Sequence, residues 1–290
     1  MDFHHRTLDL VGQRDLRLDR ERGAVAARIA AAAGIALPAA VAEWYCVPEA
    51  APLWKSFCRG DTPIIRRLEG APQEVWRGRA VRDDVTREVW MVPAIYHDLR
   101  GWVTSPVLPL MSEIYSTWWW GVVLDGTPDP RVAMCWYDEG DTWDYCGASF
   151  SEYVFSILFD NPLYGYDEDG FRREVSLGGH LGSELRRLLL KEFRVGPTTR
   201  EFPPGGFTER FWESGQRFSF QNIDLGGAQR YSSWRLWSSS NAGFTNLVDR
   251  LSRILPEFTG LTPGKEQVQI RAGATSANPE PDCDREDIPF

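Results

Sequence analysis

Trp118-Trp119-Trp120-Gly121-Val122-Val123-Leu124, then Val132 to Tyr137, then Trp143-Asp144-Tyr145-Cys146 are three short aromatic and β-branched runs separated by Gly, Pro and Asp. Runs of that length bounded by turn residues read as strands, and three in succession predict a β-meander. Alternation along a strand sends Trp119 to the face opposite Trp118 and Trp120, so one face meets a core and the other is covered or binds something. The meander runs directly into a helix signal. Ser149 suits an N-cap, Tyr153, Phe155, Ile157 and Leu158 supply apolar positions, and Asp160-Asn161-Pro162 is a stop.

Working outward toward the N-terminus, Ala24 to Ala33 predicts a short alanine-rich helix with Val25, Ile29 and Ala33 at four-residue spacing, and Gly34 stands at its C-cap. Pro38 suits the first turn of a second helix with Val41, Trp44 and Tyr45 on its apolar face and Pro48 as its stop. Asp61 to Pro109 mixes charge, Pro and short apolar pieces, which predicts loops with one or two strands. Toward the C-terminus, Ser183 to Phe193 predicts a helix, and Phe207–Glu213, Arg217–Ile223 and Tyr231–Trp237 predict three strands. Asn241 opens the clearest helix, with Phe244, Leu247, Val248, Leu251, Ile254 and Leu255 at three- and four-residue steps before Pro256. The fold class is α+β, a mostly antiparallel central sheet flanked by helices with a C-terminal strand-and-helix extension over 160–262. One continuous sheet in a single domain, 1–262, is the simplest arrangement, and 263–290 reads as a flexible acidic tail because periodicity ends at Thr262.

The chain has 290 residues, enough to bury a core without metal or disulfide staples, and its 13 Trp, 9 Tyr and 15 Phe are a large stock for packing. A net charge of −9 argues against direct nucleic-acid binding and favours a basic partner. Cys46, Cys58, Cys135, Cys146 and Cys283 form no C-x-x-C pair, so they read as reduced thiols, and no cofactor motif stands out. Met1-Asp2-Phe3-His4-His5-Arg6 leads into no apolar run, and the apolar run at Trp118–Leu124 falls far short of the ~20 residues of a membrane helix. A cytoplasmic protein without a membrane segment is the expectation.

Candidate chemistry is sparse. His4 and His5 fall in a terminus expected to fray, which leaves His97 and His180 for proton transfer, neither within a motif. Gly165 to Ser176 lacks the terminal carboxylates of a calcium loop, and Gly260 to Glu266 lacks P-loop spacing. Asp138, Glu139, Asp141 and Asp144 form a dense acidic loop between two strands, either simply solvated or suited to steering a basic protein. Trp118 and Trp120 are the aromatic anchors expected beside it, since interface hot spots favour Trp.

Gly34-Ile35-Ala36-Leu37-Pro38 followed by Val41-Ala42-Glu43-Trp44-Tyr45, then Trp120-Gly121-Val122-Val123-Leu124-Asp125-Gly126 with Asp129-Pro130-Arg131-Val132, then Ala148-Ser149-Phe150-Ser151-Glu152-Tyr153, resemble in order and spacing the SUKH superfamily. The resemblance covers about Arg22 to Phe159. It departs at Pro48-Glu49-Ala50-Ala51-Pro52, where that superfamily often has a glycine-rich segment, and in the length of chain that follows. It implies a non-enzymatic α+β module that binds proteins, with bacterial members similar to immunity proteins that neutralise cytoplasm-acting toxins and fungal relatives in cell-wall regulation. It carries over no catalytic residue. The expected partner is therefore a protein, such as a basic toxin domain of the nuclease kind. The alternatives are a domain for an endogenous protein partner and a hydrolase using His97 or His180 with a nearby carboxylate.

Overall fold

A computed structural model describes residues 1–32, 34–48, 62–63, 93–98, 101–112, 118–136, 142–164, 170–179, 182–200, 207–213, 215–224 and 230–270. The N-terminal third supplies helices α1 (His5–Leu10), α2 (Arg20–Ala32) and α3 (Ala39–Trp44). Helix α2 begins four residues before the alanine-rich run because Asp19 Oδ1 accepts the Arg22 N–H at 3.1 Å, which caps the first turn. It ends as expected: Gly34 has φ +78°, and the Ile35 N–H reaches back to the Ala30 carbonyl at 2.9 Å. Pro38 lies just before α3, in extended conformation, rather than within its first turn.

The strands β1 (Thr62–Pro63), β2 (Pro93–Asp98), β3 (Gly101–Ser112), β4 (Trp118–Val123), β5 (Arg131–Trp136) and β6 (Thr142–Ser149) form a mixed six-stranded sheet in the order β1-β3-β2-β6-β5-β4. The predicted meander is β4, β5 and β6, paired antiparallel in succession. β3 is long enough to change partners: Gly101–Pro106 pairs with β2 and Val107–Ser112 with β4, so the pairings run in a circuit. The parallel pair β2–β6 makes the sheet mixed.

Helix α4 (Phe150–Tyr164) follows β6 without a break. Ser149 and Glu152 bond reciprocally, Glu152 N–H to Ser149 Oγ at 3.4 Å and Ser149 N–H to Glu152 Oε2 at 3.3 Å, a capping box that starts the helix. The helix does not stop at Pro162 as the sequence suggests. Proline removes the N–H that would bond to the carbonyl four residues earlier, that of Leu158. Arg217 Nη1 donates to that carbonyl instead, at 2.8 Å, so the freed acceptor is satisfied from another element and the helix runs on to Tyr164.

A second sheet follows, in place of the single continuous sheet expected. Strands β7 (Phe171–Gly178), β8 (Arg194–Val195), β9 (Thr199–Arg200), β10 (Phe207–Glu213), β11 (Gln216–Asp224), β12 (Arg230–Ser238) and β13 (Val268–Ile270) have the order β13-β7-β12-β11-β10-β8, with β9 also on β10. Helices α5 (Ser183–Glu192) and α6 (Asn241–Ser252), with a 3-10 turn at Pro256–Phe258, accompany it. Leu189, Phe244, Leu247 and Leu251 pack on Phe211, Phe218, Trp234 and Leu236. Helix α6 opens at Asn241, as expected, and Ser240 caps it, accepting the Gly243 N–H at 3.1 Å.

The reason for two sheets lies in α4, which is apolar on more than one side and must therefore be covered on more than one side. Phe150, Val154 and Leu158 join the core of the first sheet, with Val41, Trp44, Trp120, Val122 and Val132. Phe155, Phe159 and Leu163 join a separate cluster with Leu10 and Trp212. The helix thus packs on both β6 and β12. The C-terminal expectation also needs correction: the tail predicted from 263 onward starts as structure. Val268–Ile270 pairs in parallel with Val175–Leu177, and Arg173 donates to the carbonyls of Thr262 at 2.6 Å, Glu266 at 3.2 Å and Pro263 at 3.3 Å. A Cβ on Gly264 would lie 2.7 Å from that guanidinium, so glycine permits the close approach. Residues 271–290 lie outside those described.

Candidate functional site

The sequence-predicted partner surface is only partly within view. Asp138, Glu139 and Asp141 lie outside the described residues, as does His180. In the backbone, Trp118 pairs with Trp136, and Asp144 pairs with Met134 on one side and His97 on the other. Trp120 is not an exposed anchor: it is 1% exposed, its ring 4.8 Å from that of Tyr153 between sheet and α4. Alternation along β4 separates two faces but does not say which one is buried.

The segments that carry the sequence resemblance converge. The Ala40 N–H donates to the Pro128 carbonyl at 2.9 Å, and the Phe150 N–H to the Pro130 carbonyl at 2.7 Å. Asp129 accepts from the Ser151 N–H at 2.9 Å and the Ser151 hydroxyl at 2.6 Å, fastening the β4–β5 turn to the start of α4. Between the α2–α3 connection and that turn lies an open groove of about 480 Å³, lined by Ile35, Leu37, Pro38, Leu124 and Pro128 among others.

The N-terminus is docked, contrary to the frayed end expected. Glu43 Oε2 accepts the Asp2 N–H at 2.7 Å, and Oε1 accepts those of Phe3 and His4, each at 3.0 Å. His4 is fully buried, with its ring 5.0 Å from Trp44 and 5.7 Å from Phe150. Its Nε2 is 2.9 Å from the Ala40 carbonyl, which can only accept, so Nε2 carries the proton. Nδ1 has no hydrogen-bond partner among the described residues. Burial pushes the His4 pKa below its ordinary 6.5, against the opposing pull of the Ala40 carbonyl, Glu43 and Asp129. The ring is therefore neutral and structural. A sequence reading misses it because its ligands, Ala40 and Glu43, are distant in the chain.

A second concavity, of about 530 Å³, forms where the end of α1 meets β8, β10, β11 and β12. Asp9, Arg14, Arg194, Trp212, Arg217 and Trp237 are among its lining residues. Asp9 is shared: Arg14 donates to Oδ1, and Arg194 Nη1 to Oδ2 at 2.9 Å. The Arg194 guanidinium sits 5.1 Å from the Trp212 ring centroid, and that of Arg217 5.1 Å from Trp237. No pattern in the sequence announces this cleft, since its members come from residues 9 to 237.

Among the described residues no three His, Cys, Asp or Glu gather as a metal-holding group, and no helix is long and apolar enough to cross a membrane. The chain matches no protein-family model, no curated protein and no solved structure.

Proposed function

We propose that this chain is a non-enzymatic, SUKH-like protein-binding module that acts as a bacterial immunity protein, occluding the active surface of a cytoplasm-acting toxin such as a nuclease. The observation that carries this reading is the convergence of Gly34–Pro38 and the 124–128 turn on one groove, with the start of α4 fastened to that turn, through the Ala40–Pro128, Phe150–Pro130 and Ser151–Asp129 hydrogen bonds. Segments nearly a hundred residues apart that share no catalytic group are held together to shape a surface. The net charge of −9 supports a basic partner, because long-range attraction raises association rates with proteins that themselves bind phosphate.

Co-expression with the product of the adjacent gene tests it, with complex formation and rescue of growth as the readouts. Rescue with tight binding is expected. Ala36→Trp, at an exposed position of the groove, should weaken the complex without unfolding the protein. Asp141→Lys with Asp144→Lys should weaken it and flatten its salt dependence. A folded protein that neither binds nor rescues would shift the reading to an endogenous protein partner, sought by pull-down. The hydrolase alternative draws support only from the register of His97 with Asp144, and loss of a detected hydrolysis in His97→Gln would favour it.

A further inference from the structure

The antiparallel register of β8 on β10 sets Arg194 opposite Trp212, and the guanidinium lies 5.1 Å from the centre of the indole ring. Arg194 spends one nitrogen on the protein: Nη1 donates to Asp9 Oδ2 at 2.9 Å. Its Nε and Nη2 have no acceptor among the described residues. These two nitrogens form the fork with which Arg210 holds both oxygens of Asp160, so the chain itself shows what such a fork accepts. Trp212, only 6% exposed, lines the cleft at the end of α1 together with Arg194, and its indole N–H is buried with no acceptor among the described residues. A buried N–H left unpaired is costly, and a bound acceptor removes that cost. Both carboxylates of the lining are already engaged, Asp9 by Arg14 and Arg194 and Glu213 by Arg250.

We propose that this cleft binds a small monocarboxylate with an aromatic body. The head group follows from donor geometry: a carboxylate is planar, its two oxygens match the Arg194 fork, and it has lone pairs to spare for the Trp212 N–H. Asp9 and Glu213 in the same lining repel a second negative charge, which selects a carboxylate over a phosphate monoester. The body follows from size and lining. At about 530 Å³ the cleft lies within the range typical of small-molecule sites and is far larger than a carboxylate, and Leu10, Val11, Trp212 and Trp237 supply an apolar wall with two indole rings. This site stands apart from the protein-binding groove and shares no lining residue with it.

Calorimetric titration of the full chain at low salt and pH 7 tests the assignment, using 1-naphthylacetate, the neutral 2-(1-naphthyl)ethanol, acetate and 1-naphthyl phosphate. Saturable binding of naphthylacetate is expected, at least tenfold tighter than naphthylethanol or acetate and no weaker than naphthyl phosphate. Arg194→Gln, at a side chain 60% exposed, should weaken it about tenfold with unchanged thermal unfolding. Arg194→Lys, which keeps the charge but has no fork, should weaken it several-fold, and so should Trp212→Phe, which keeps a ring but deletes the N–H. Four results would overturn the proposal: no saturable binding of naphthylacetate, equal affinity for naphthylethanol or acetate, tighter binding of naphthyl phosphate, or full affinity in any of the three variants.

Discussion

Arg210 and Asp160 form a two-pronged ion pair between β10 and α4, Nε to Oδ1 at 3.0 Å and Nη2 to Oδ2 at 2.6 Å, with the arginine side chain 3% exposed. It joins the second sheet to the helix that the first sheet packs against. Pairs of this geometry satisfy both partners, and removing one leaves the other buried and uncompensated. Arg210→Ala should therefore lower stability by about 3–5 kcal/mol, measured by urea denaturation. Arg210→Met combined with Asp160→Leu should recover most of that loss, because neither charge is then stranded. An exposed pair such as Arg187–Glu184 should give a far smaller change.

His4 predicts the acid side of the stability profile. Its folded pKa lies below the unfolded value of about 6.5, so the unfolded chain takes up the proton first. Stability should decline as pH falls below about 6.5, and His4's share of the slope should end once pH passes below its folded pKa. His4→Gln keeps a donor near the Ala40 carbonyl but cannot titrate, so the difference between its pH–stability curve and that of the parent should isolate this contribution. Parallel curves would refute it.

The capping box at the start of α4 gives a smaller, local prediction. Ser149→Ala or Glu152→Ala should each cost about 1 kcal/mol, visible as a shift in the urea midpoint with an unchanged slope. The double variant should cost less than the sum, since each residue caps the other's amide.

The C-terminal strand can be tested by truncation. A chain ending at Ile270 retains the pairing with β7 and the Arg173 contacts, whereas one ending at Leu261 loses both. The shorter chain should be less stable by on the order of 2–3 kcal/mol, since several hydrogen bonds at roughly 1 kcal/mol each are removed. Equal thermal midpoints would mean that β13 contributes nothing.

Local elements were legible because short-range patterns report them. The meander, α5, β10 to β12 and the core residues of α6 follow from alternation and three- and four-residue spacing, and Gly34 marks the end of α2 through its positive φ. Boundaries shifted where a side chain outside the pattern intervened, as Asp19 did at the start of α2 and Arg217 beyond Pro162. Of the candidate site, the groove segments were legible as motifs. Trp120 was misjudged because alternation distinguishes two faces without saying which is buried. The Arg–Trp cleft was invisible, its donors being scattered from one end of the chain to the other.

Sequence by itself therefore determined the α+β class, most strands and helices, and the acidic charge, all properties of neighbours in the chain or of composition. Tertiary structure decided that the strands form two sheets, that the N-terminus docks on Glu43 with His4 buried, and that residues 268–270 complete the second sheet. The physical reason is one of range. Burial on both sides of α4, the proline-freed Leu158 carbonyl and the shared Asp9 are satisfied by groups 50 to 200 residues away, and no local pattern records a partner at that distance.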